Sequence, residues 1–359
     1  MCGFQEKKKS LYRGFKLLRV LYIHGVIIDK QPREIGELIH LRYLGCTRTS
    51  LKSLPSSIGS LPNLQTLFVA SSCYKVKVPS TIGKMQQLRH LQLSWAVMKG
   101  QPRLEQISNL QTLSNVEAGK WMEGCLGKLT NLRKLGIVLV TTADAEVFKD
   151  SIVKLGCLHS LSVSVRDERL RRSEQFERQE WSLPPFSNLL KLSKLCLRGN
   201  LERLPESAQF PVNLTKLTLK YSRLKQGQLA TLEKLEKLRI LKLLERSYVG
   251  KEMVCSSQGF PQLESLYLVQ LYELEEWRVE KGAMPSLLHL RIGWCHGLKK
   301  LPEGLQHVTT LKKLELWWMR SELEKRLKEY SGDGEGEGED WHKIRHIPSI
   351  DIRSFYGET

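Results

Sequence analysis
Acidic residues are scarce in this chain. Its 359 residues carry 38 Asp and Glu against 56 Lys and Arg, a formal charge of +18. That excess suits nucleic acid, an anionic membrane or an acidic protein surface, and pooled charge does not choose among them. Cysteine is sparse in pattern rather than number. The eight residues stand singly with no C-x-x-C, which excludes the dense disulfide framework of a small secreted domain. They read as reduced thiols of a cytosolic protein. Long apolar runs are missing too. The first apolar stretch, KLLRVLYIHGVII, contains Arg19 and His24 and is too short to span a bilayer. MCGFQEKKKS lacks the order of a signal peptide, and with Cys at position two it is no myristoylation signal.

The chemistry-bearing motifs are absent as well. A phosphate loop needs a glycine five residues before its Gly-Lys pair. The pairs at Gly83, Gly119, Gly127 and Gly250 have Val78, Ser114, Met122 and Glu245 there. Neither H-E-x-x-H nor G-x-S-x-G occurs. His342 and His346 have the spacing of a helical zinc pair, but Pro348 and the alternating pattern around them argue against a helix. The expectation is a protein without catalytic residues, cofactor or metal.

What is present is a repeat. L-x-x-L-x-[LIV], or a close variant, begins at Leu18, Leu41, Leu64, Leu88, Leu110, Leu132, Leu158, Leu192, Leu214, Leu238, Leu263, Leu287 and Leu311. Successive copies lie 22 to 26 residues apart, except for one step of 34. This is the period of the leucine-rich repeat. Each copy supplies a short strand whose apolar face is buried only when copies stack. The predicted fold is therefore an α/β repeat solenoid, an arc with a parallel sheet on its concave face and irregular turns or short helices on its convex face. Pro-opened returns such as LPSSIGSL, VPSTIGKM and LPEGLQHV should bring Ile58, Ile82 and Leu305 back into the core. Residues 1–16 read as an extension or partial cap and 17–330 as the solenoid of about 13 repeats. Residues 165–186 read as an insertion, 331–340 as an acidic Gly/Glu linker and 341–359 as a capping segment, strand-like in its alternation. A solenoid end without a full cap exposes core surface, so the N-terminal end is expected to be marginally stable.

The non-leucine positions of each strand face the concavity and are the candidate partner-binding residues. Early copies offer Tyr43, Phe68 and Trp95. Middle copies turn basic with Lys194, Arg198, Lys216, Lys220 and Lys242, beside Tyr221. Late copies add Tyr267, Arg291, Trp294, Trp317 and Trp318. Aromatic and Arg side chains are common anchors of interfaces, and a basic strip steers an acidic partner. A nucleic-acid partner is not favoured, since no base-reading module is evident.

LKSLPSSIGSLPNLQTLFV (Leu51–Val69), FPQLESLYL, MPSLLHLRIGWCHGLKKLPEGL and the closing DWHKIRHIPSIDI resemble the leucine-rich repeat domain of plant coiled-coil-type nucleotide-binding leucine-rich-repeat disease-resistance proteins. The G-x-I-P of cell-surface repeats does not recur. The resemblance covers Leu17–Ile352 and does not extend to a coiled-coil or nucleotide-binding segment. It implies a non-enzymatic recognition domain of innate immunity, cytoplasmic, with a peripheral place at the plasma membrane left open. The partner implied is a pathogen effector, a guarded host protein or a nucleotide-binding switch domain. The alternative is an intracellular scaffold regulating a small GTPase or phosphatase. A ubiquitin-ligase adaptor would need a helical module for which residues 1–16 leave no room.

Overall fold
A computed structural model describes residues 14–27, 31–71, 75–139, 141–165, 183–201, 203–327 and 338–353. Most of the extension at 1–16, the insertion at 165–186 and the linker at 331–340 lies outside the described residues, as does the side chain of Trp95. The chain divides into two compact units, Met1–Glu174 and Gln175–Thr359.

In the first unit every repeat yields a strand. β1 (Val20–His24), β2 (Tyr43–Thr49) and β3 (Thr66–Ser71) are followed by the short β4 (Val76–Val78) and then β5 (His90–Met98). β6 (Thr112–Glu117), β7 (Lys134–Leu139) and β8 (Ser160–Val165) complete the series. All pair in parallel in chain order, with β4 beside the end of β5. The register is set by the leucines: Leu44, Leu67, Leu91, Leu113, Leu135 and Leu161 stand opposite one another and are buried. A slip of one residue would turn that row to solvent.

The returns behave as their prolines suggest. Pro55 and Pro79, with φ of −71° and −72°, lead into the 3-10 turns Ser56–Ser60 and Ser80–Lys84, and Ile58 and Ile82 are fully buried. The glycine after each isoleucine has a packing reason. A Cβ on Gly59 would sit 2.5 Å from the Thr81 carbonyl oxygen of the next turn, and one on Gly36 would meet Ser57 equally closely. One return becomes a true helix, α1 (Thr142–Ile152), begun by a reciprocal cap between Thr141 and Asp144 and burying Ala145, Phe148 and Ile152.

The second unit repeats the scheme with β9 (Lys194–Arg198), β10 (Lys216–Lys220), β11 (Ile240–Leu244) and β13 (Ser265–Val269), continuing with β15 (His289–Gly293) and β16 (Lys313–Trp317). These strands too are parallel and in register. Two short helices, α2 (Gln226–Glu233) and α3 (Ser321–Leu327), lie between strands. The back of this unit is more ordered than turns and helices alone. β12 (Glu252–Cys255) and β14 (Glu276–Val279) form a second, two-stranded parallel sheet. EMVC and EWRV alternate with period two, burying Met253, Cys255, Trp277 and Val279.

The tail holds a repeat that a leucine-keyed search misses. β17 (Ser349–Arg353) pairs parallel with β16, placing Ile350 opposite Leu314 and Ile352 opposite Leu316. IPSIDI is thus a fourteenth copy written in isoleucine. Asp340, at the end of the expected linker, is buried rather than solvated. It takes hydrogen bonds from Arg326, Lys343 and the Leu301 amide.

A ladder of side-chain hydrogen bonds also ties the turns together. The Nδ2 groups of Asn63, Asn109 and Asn131 donate to the carbonyls of Ile39, Gln86 and Ser108 in the preceding repeat. Asn213 does the same to Leu190 in the second unit. Burial raises the thiols of Cys46 to about 11 and of Cys125, Cys255 and Cys295 to about 12. These thiols are therefore poor nucleophiles.

Candidate binding surface
The candidate surface is the open face of the second unit's sheet. Parallel pairing aligns the middle outward position of each strand in the row Lys242, Tyr267, Arg291, Glu315, Asp351. Cations and rings alternate here and make contact. Lys242 Nζ lies 4.1 Å from the centre of the Tyr267 ring, and Arg291 lies 5.3 Å from that ring. Arg291 also covers Trp317 at 4.0 Å, and Arg353 of the tail strand lies over the same ring at 4.9 Å. Trp317 meets Trp318 edge to face, and Trp318 stacks on Trp294 with centroids 4.1 Å apart. Each cation–π contact at such sites contributes about 0.5–1 kcal/mol, and a stacked aromatic pair adds about 0.5–1.5 kcal/mol beyond its burial.

The backbone explains the tryptophan stack. Tyr221, Glu245, Gln270, Trp294 and Trp318 each follow a strand, and each has a φ between 49° and 59°. Their amides donate to carbonyls of the next repeat, Trp294 to Trp317 and Trp318 to Arg353 among them. The left-handed turn swings each side chain to the same edge of the sheet. Two tryptophans one repeat apart then have to overlap.

Charge on the face is partly internal. Glu245 binds Lys220 at 2.7 Å and stands 4.0 Å from Arg198, whose guanidinium lies over Tyr221. Burial alone would raise the Glu245 carboxyl, but Lys220 and Arg198 outweigh it and hold it below the ordinary range. Glu315 is lowered in the same way, burial opposed by Arg291 and Lys313. The free basic run expected from Lys194 to Lys242 is therefore reduced. Lys220 and Arg198 share a carboxylate, and Arg291 is committed to Glu315. Lys194, Lys216 and Lys242 have no carboxylate partner among the described residues. Burial, followed by the charges of Lys216, Arg291 and Lys220, lowers the Lys242 ammonium.

Tyr43 and Phe68 stand half-buried on β2 and β3 of the first unit, where Tyr22 and Tyr43 lie over Gly45. The Tyr22 hydroxyl and the His24 ring both meet Thr47 Oγ1, at 2.7 and 2.8 Å. His342 and His346 turn to different partners, Glu303 and the Val308 carbonyl. Among the described residues no group of three or more His, Cys, Asp or Glu could hold a metal ion. No described helix is long and apolar enough to cross a membrane. The residues sequence reasoning missed are Glu245, Asp351 and Arg353. Aligning the copies on their first leucine finds Glu315, because it shares the fifth position of the motif with Lys242, Tyr267 and Arg291.

A family model described as a leucine-rich repeat region matches residues 2–331. Probable disease resistance RPP8-like protein 2 of Arabidopsis thaliana is 35% identical over 352 residues, covering 96% of this chain and 37% of that protein. Disease resistance protein RPP8 of the same plant is 32% identical over 349 residues, with 96% and 37% covered. The chain thus spans little more than a third of the length of the curated relatives it matches. Among solved structures, a leucine-rich repeat protein of Leptospira interrogans superposes with a TM-score of 0.58 at 21% identity, covering 96% of this chain and 86% of that one, a likeness of fold alone. The resemblance to plant disease-resistance proteins read from LPSSIGSL and the closing strand holds across nearly the whole chain, and the chain belongs to the leucine-rich repeat region family.

Proposed function
We propose that this chain is a non-enzymatic recognition module of plant defence, acting in the cytoplasm through the open face of its sheet. The observation that carries this reading is the cation–aromatic ladder from Lys242 to Trp318. Its side chains are held by one another before any partner arrives, so little rotamer entropy remains to be lost on binding. Arg and Trp, the residue types that dominate interface energetics, occupy its centre. The candidate contacts are Lys194, Arg198, Lys216, Lys220, Tyr221, Lys242, Tyr267, Arg291, Trp294, Trp317 and Trp318, with Tyr43, Phe68 and Trp95 on the first unit. The relatives supply the biological setting, disease resistance. The partner is a pathogen effector, a guarded host protein or a nucleotide-binding switch domain. The segments 17–330 and 341–359 act as the repeat body and its closing cap.

The test is affinity purification from infected and healthy leaf tissue with three baits: the native chain, Lys194→Glu/Lys216→Glu/Lys242→Glu, and Trp317→Ala/Trp318→Ala. Circular dichroism confirms that each is folded. A protein recovered by the native chain and lost by both variants supports recognition through this face. Identical recovery by all three baits removes it.

A further inference from the structure
We infer that the open face of the second unit takes an acidic peptide segment in polyproline-like extended form, laid across the strands from β9 to β16. Its carboxylates meet Lys194, Lys216 and Lys242, and an apolar side chain follows at Trp317 and Trp318. This rests on the recognition reading above and adds the partner's chemistry and its direction of travel.

Three observations carry it. The first is charge. Every other cation on this path pairs with a carboxylate, whereas Lys194, Lys216 and Lys242 have none among the described residues, Lys242 lying over the Tyr267 ring instead. Lys194 and Lys216 are register partners on adjacent strands, and Lys242 stands one strand on and two positions along. The second is direction. The functional groups run diagonally: Lys194 and Lys216 at the first strand position, then Lys242, Tyr267 and Arg291 at the third, then Trp317 at the fifth. A ligand that follows them crosses the strands rather than adding to the sheet edge.

The third is pitch. Neighbouring strands lie about 4.8 Å apart and a strand rises about 3.3 Å per residue, so Lys242 stands about 9.6 Å across the strands and about 6.6 Å along them from Lys194, a diagonal of about 11.6 Å. A polyproline II helix rises about 3.1 Å per residue with three residues per turn, returning a side chain to the same face every ~9.3 Å. Carboxylates three residues apart thus come within reach of Lys194 and Lys242, the flexible four-carbon lysine stems making up the remaining distance of about 2 Å. From Lys242 on β11 to Trp317 on β16 there are three strand spacings and two positions along the strand, about 16 Å on the diagonal, which such a chain covers in about five residues. The signature is an acidic pair at i and i+3 followed about five residues later by an apolar anchor.

A single-stranded nucleic acid also seeks cations and rings, but it fits this path poorly. Its phosphates would meet Glu245, Glu315 and Asp351 along the way. The tryptophans are already stacked on each other at 4.1 Å, with no slot for a base between them.

The probe is a fluorescein-labelled proline-rich peptide with glutamates three residues apart and a leucine about five residues beyond, titrated into the full chain by fluorescence anisotropy at two salt concentrations. Lys216→Glu/Lys242→Glu should weaken binding about tenfold or more and flatten the salt dependence. Lys216→Gln/Lys242→Gln should do so by a smaller factor in a chain that keeps its fold. Glu245→Gln, which leaves Lys220 and Arg198 without their carboxylate, should strengthen binding by about threefold. Unchanged affinity in both lysine variants overturns the inference. Equal binding of a peptide with its glutamates adjacent overturns the pitch argument. Tighter binding of an oligouridine than of the peptide overturns the choice of ligand. If no peptide binds while a leaf protein is still lost by the same face variants, this inference falls and the recognition reading stands.

Discussion

Asp340→Ala tests how the tail is held. Asp340 and Lys343 are each only 1% exposed. Lys343 Nζ donates to Asp340 at 2.9 Å and to the Leu301 carbonyl at 3.0 Å, and stands 2.7 Å from Glu303. Asp340 in turn accepts from Arg326 and from the Leu301 amide. Breaking a buried ion pair from one side costs about 3–5 kcal/mol. Glu303 and the Leu301 carbonyl still serve Lys343, so the low end, about 3 kcal/mol, applies. Repeat stacks open piecewise, so the loss should appear locally as more than a hundredfold faster exchange of protected amides in 338–353, read by hydrogen–deuterium exchange mass spectrometry. Amides of β10 should change little. Asp340→Leu/Lys343→Met, which removes both charges, should recover most of the loss. Burial would raise the Asp340 carboxyl, but Arg326 and Lys343 hold it below its ordinary 3.8. A depressed carboxylate contributes stability that is fully present above the unfolded value and lost as pH falls through the folded one. The segment should therefore be equally protected at pH 7 and pH 5, after correction for intrinsic rates, and open only below about pH 4. Exchange within threefold of the parent in Asp340→Ala would refute the reasoning.

Deleting Trp341–Thr359 removes β17 and with it Arg353 from the face of Trp317. The bared edge of β16 should pair between molecules, and light scattering should show self-association; a deletion as monodisperse as the parent refutes this. Trp294→Ala breaks the 4.1 Å stack with Trp318 and should lower stability by about 1 kcal/mol beyond the lost burial, measured against Trp294→Phe in urea titrations. Val20 of β1 and Leu17 and Ile27 beside it are largely exposed, so β1 amides should exchange well before those of β10. Equal protection of the two strands would contradict the marginal N-terminal end.

The buried framework was legible in the sequence because one residue type does one job. A leucine at the first and fourth motif positions is buried in nearly every repeat, so counting them found thirteen of the fourteen repeat strands among the described residues. The fourteenth was read as a strand-like cap rather than as a repeat, because Ile347, Ile350 and Ile352 fill its first, fourth and sixth positions, chemically equivalent but outside a leucine template. β12 and β14 escaped because four-residue alternation is weak beside the main repeat. The site was legible as residue types but not as contacts. That Arg291 serves Glu315, Trp317 and Tyr267 at once depends on register across three strands, which a scan along the chain does not display. The pairing of Lys220 with Glu245 depends in addition on the left-handed backbone at Glu245, a conformation that nothing in the word LLERS announces. Asp340 was misjudged because composition was averaged over SGDGEGEGED, which hides the one carboxylate that Arg326, Lys343 and the Leu301 amide hold.

The left-handed residue that follows β10, β11, β13, β15 and β16 has a wider consequence. Tyr, Glu, Gln and Trp all occupy that position at nearly the same φ, and the penalty, about 1–2 kcal/mol for an L-residue, depends little on which of them is present. β-branched residues are the exception, since they are genuine outliers at positive φ. The position therefore works as a socket. Its orientation is set by the backbone, its occupant is interchangeable among unbranched side chains, and a change of occupant rewrites what the edge displays without disturbing the leucines beneath. A fold built this way can alter its surface vocabulary one repeat at a time.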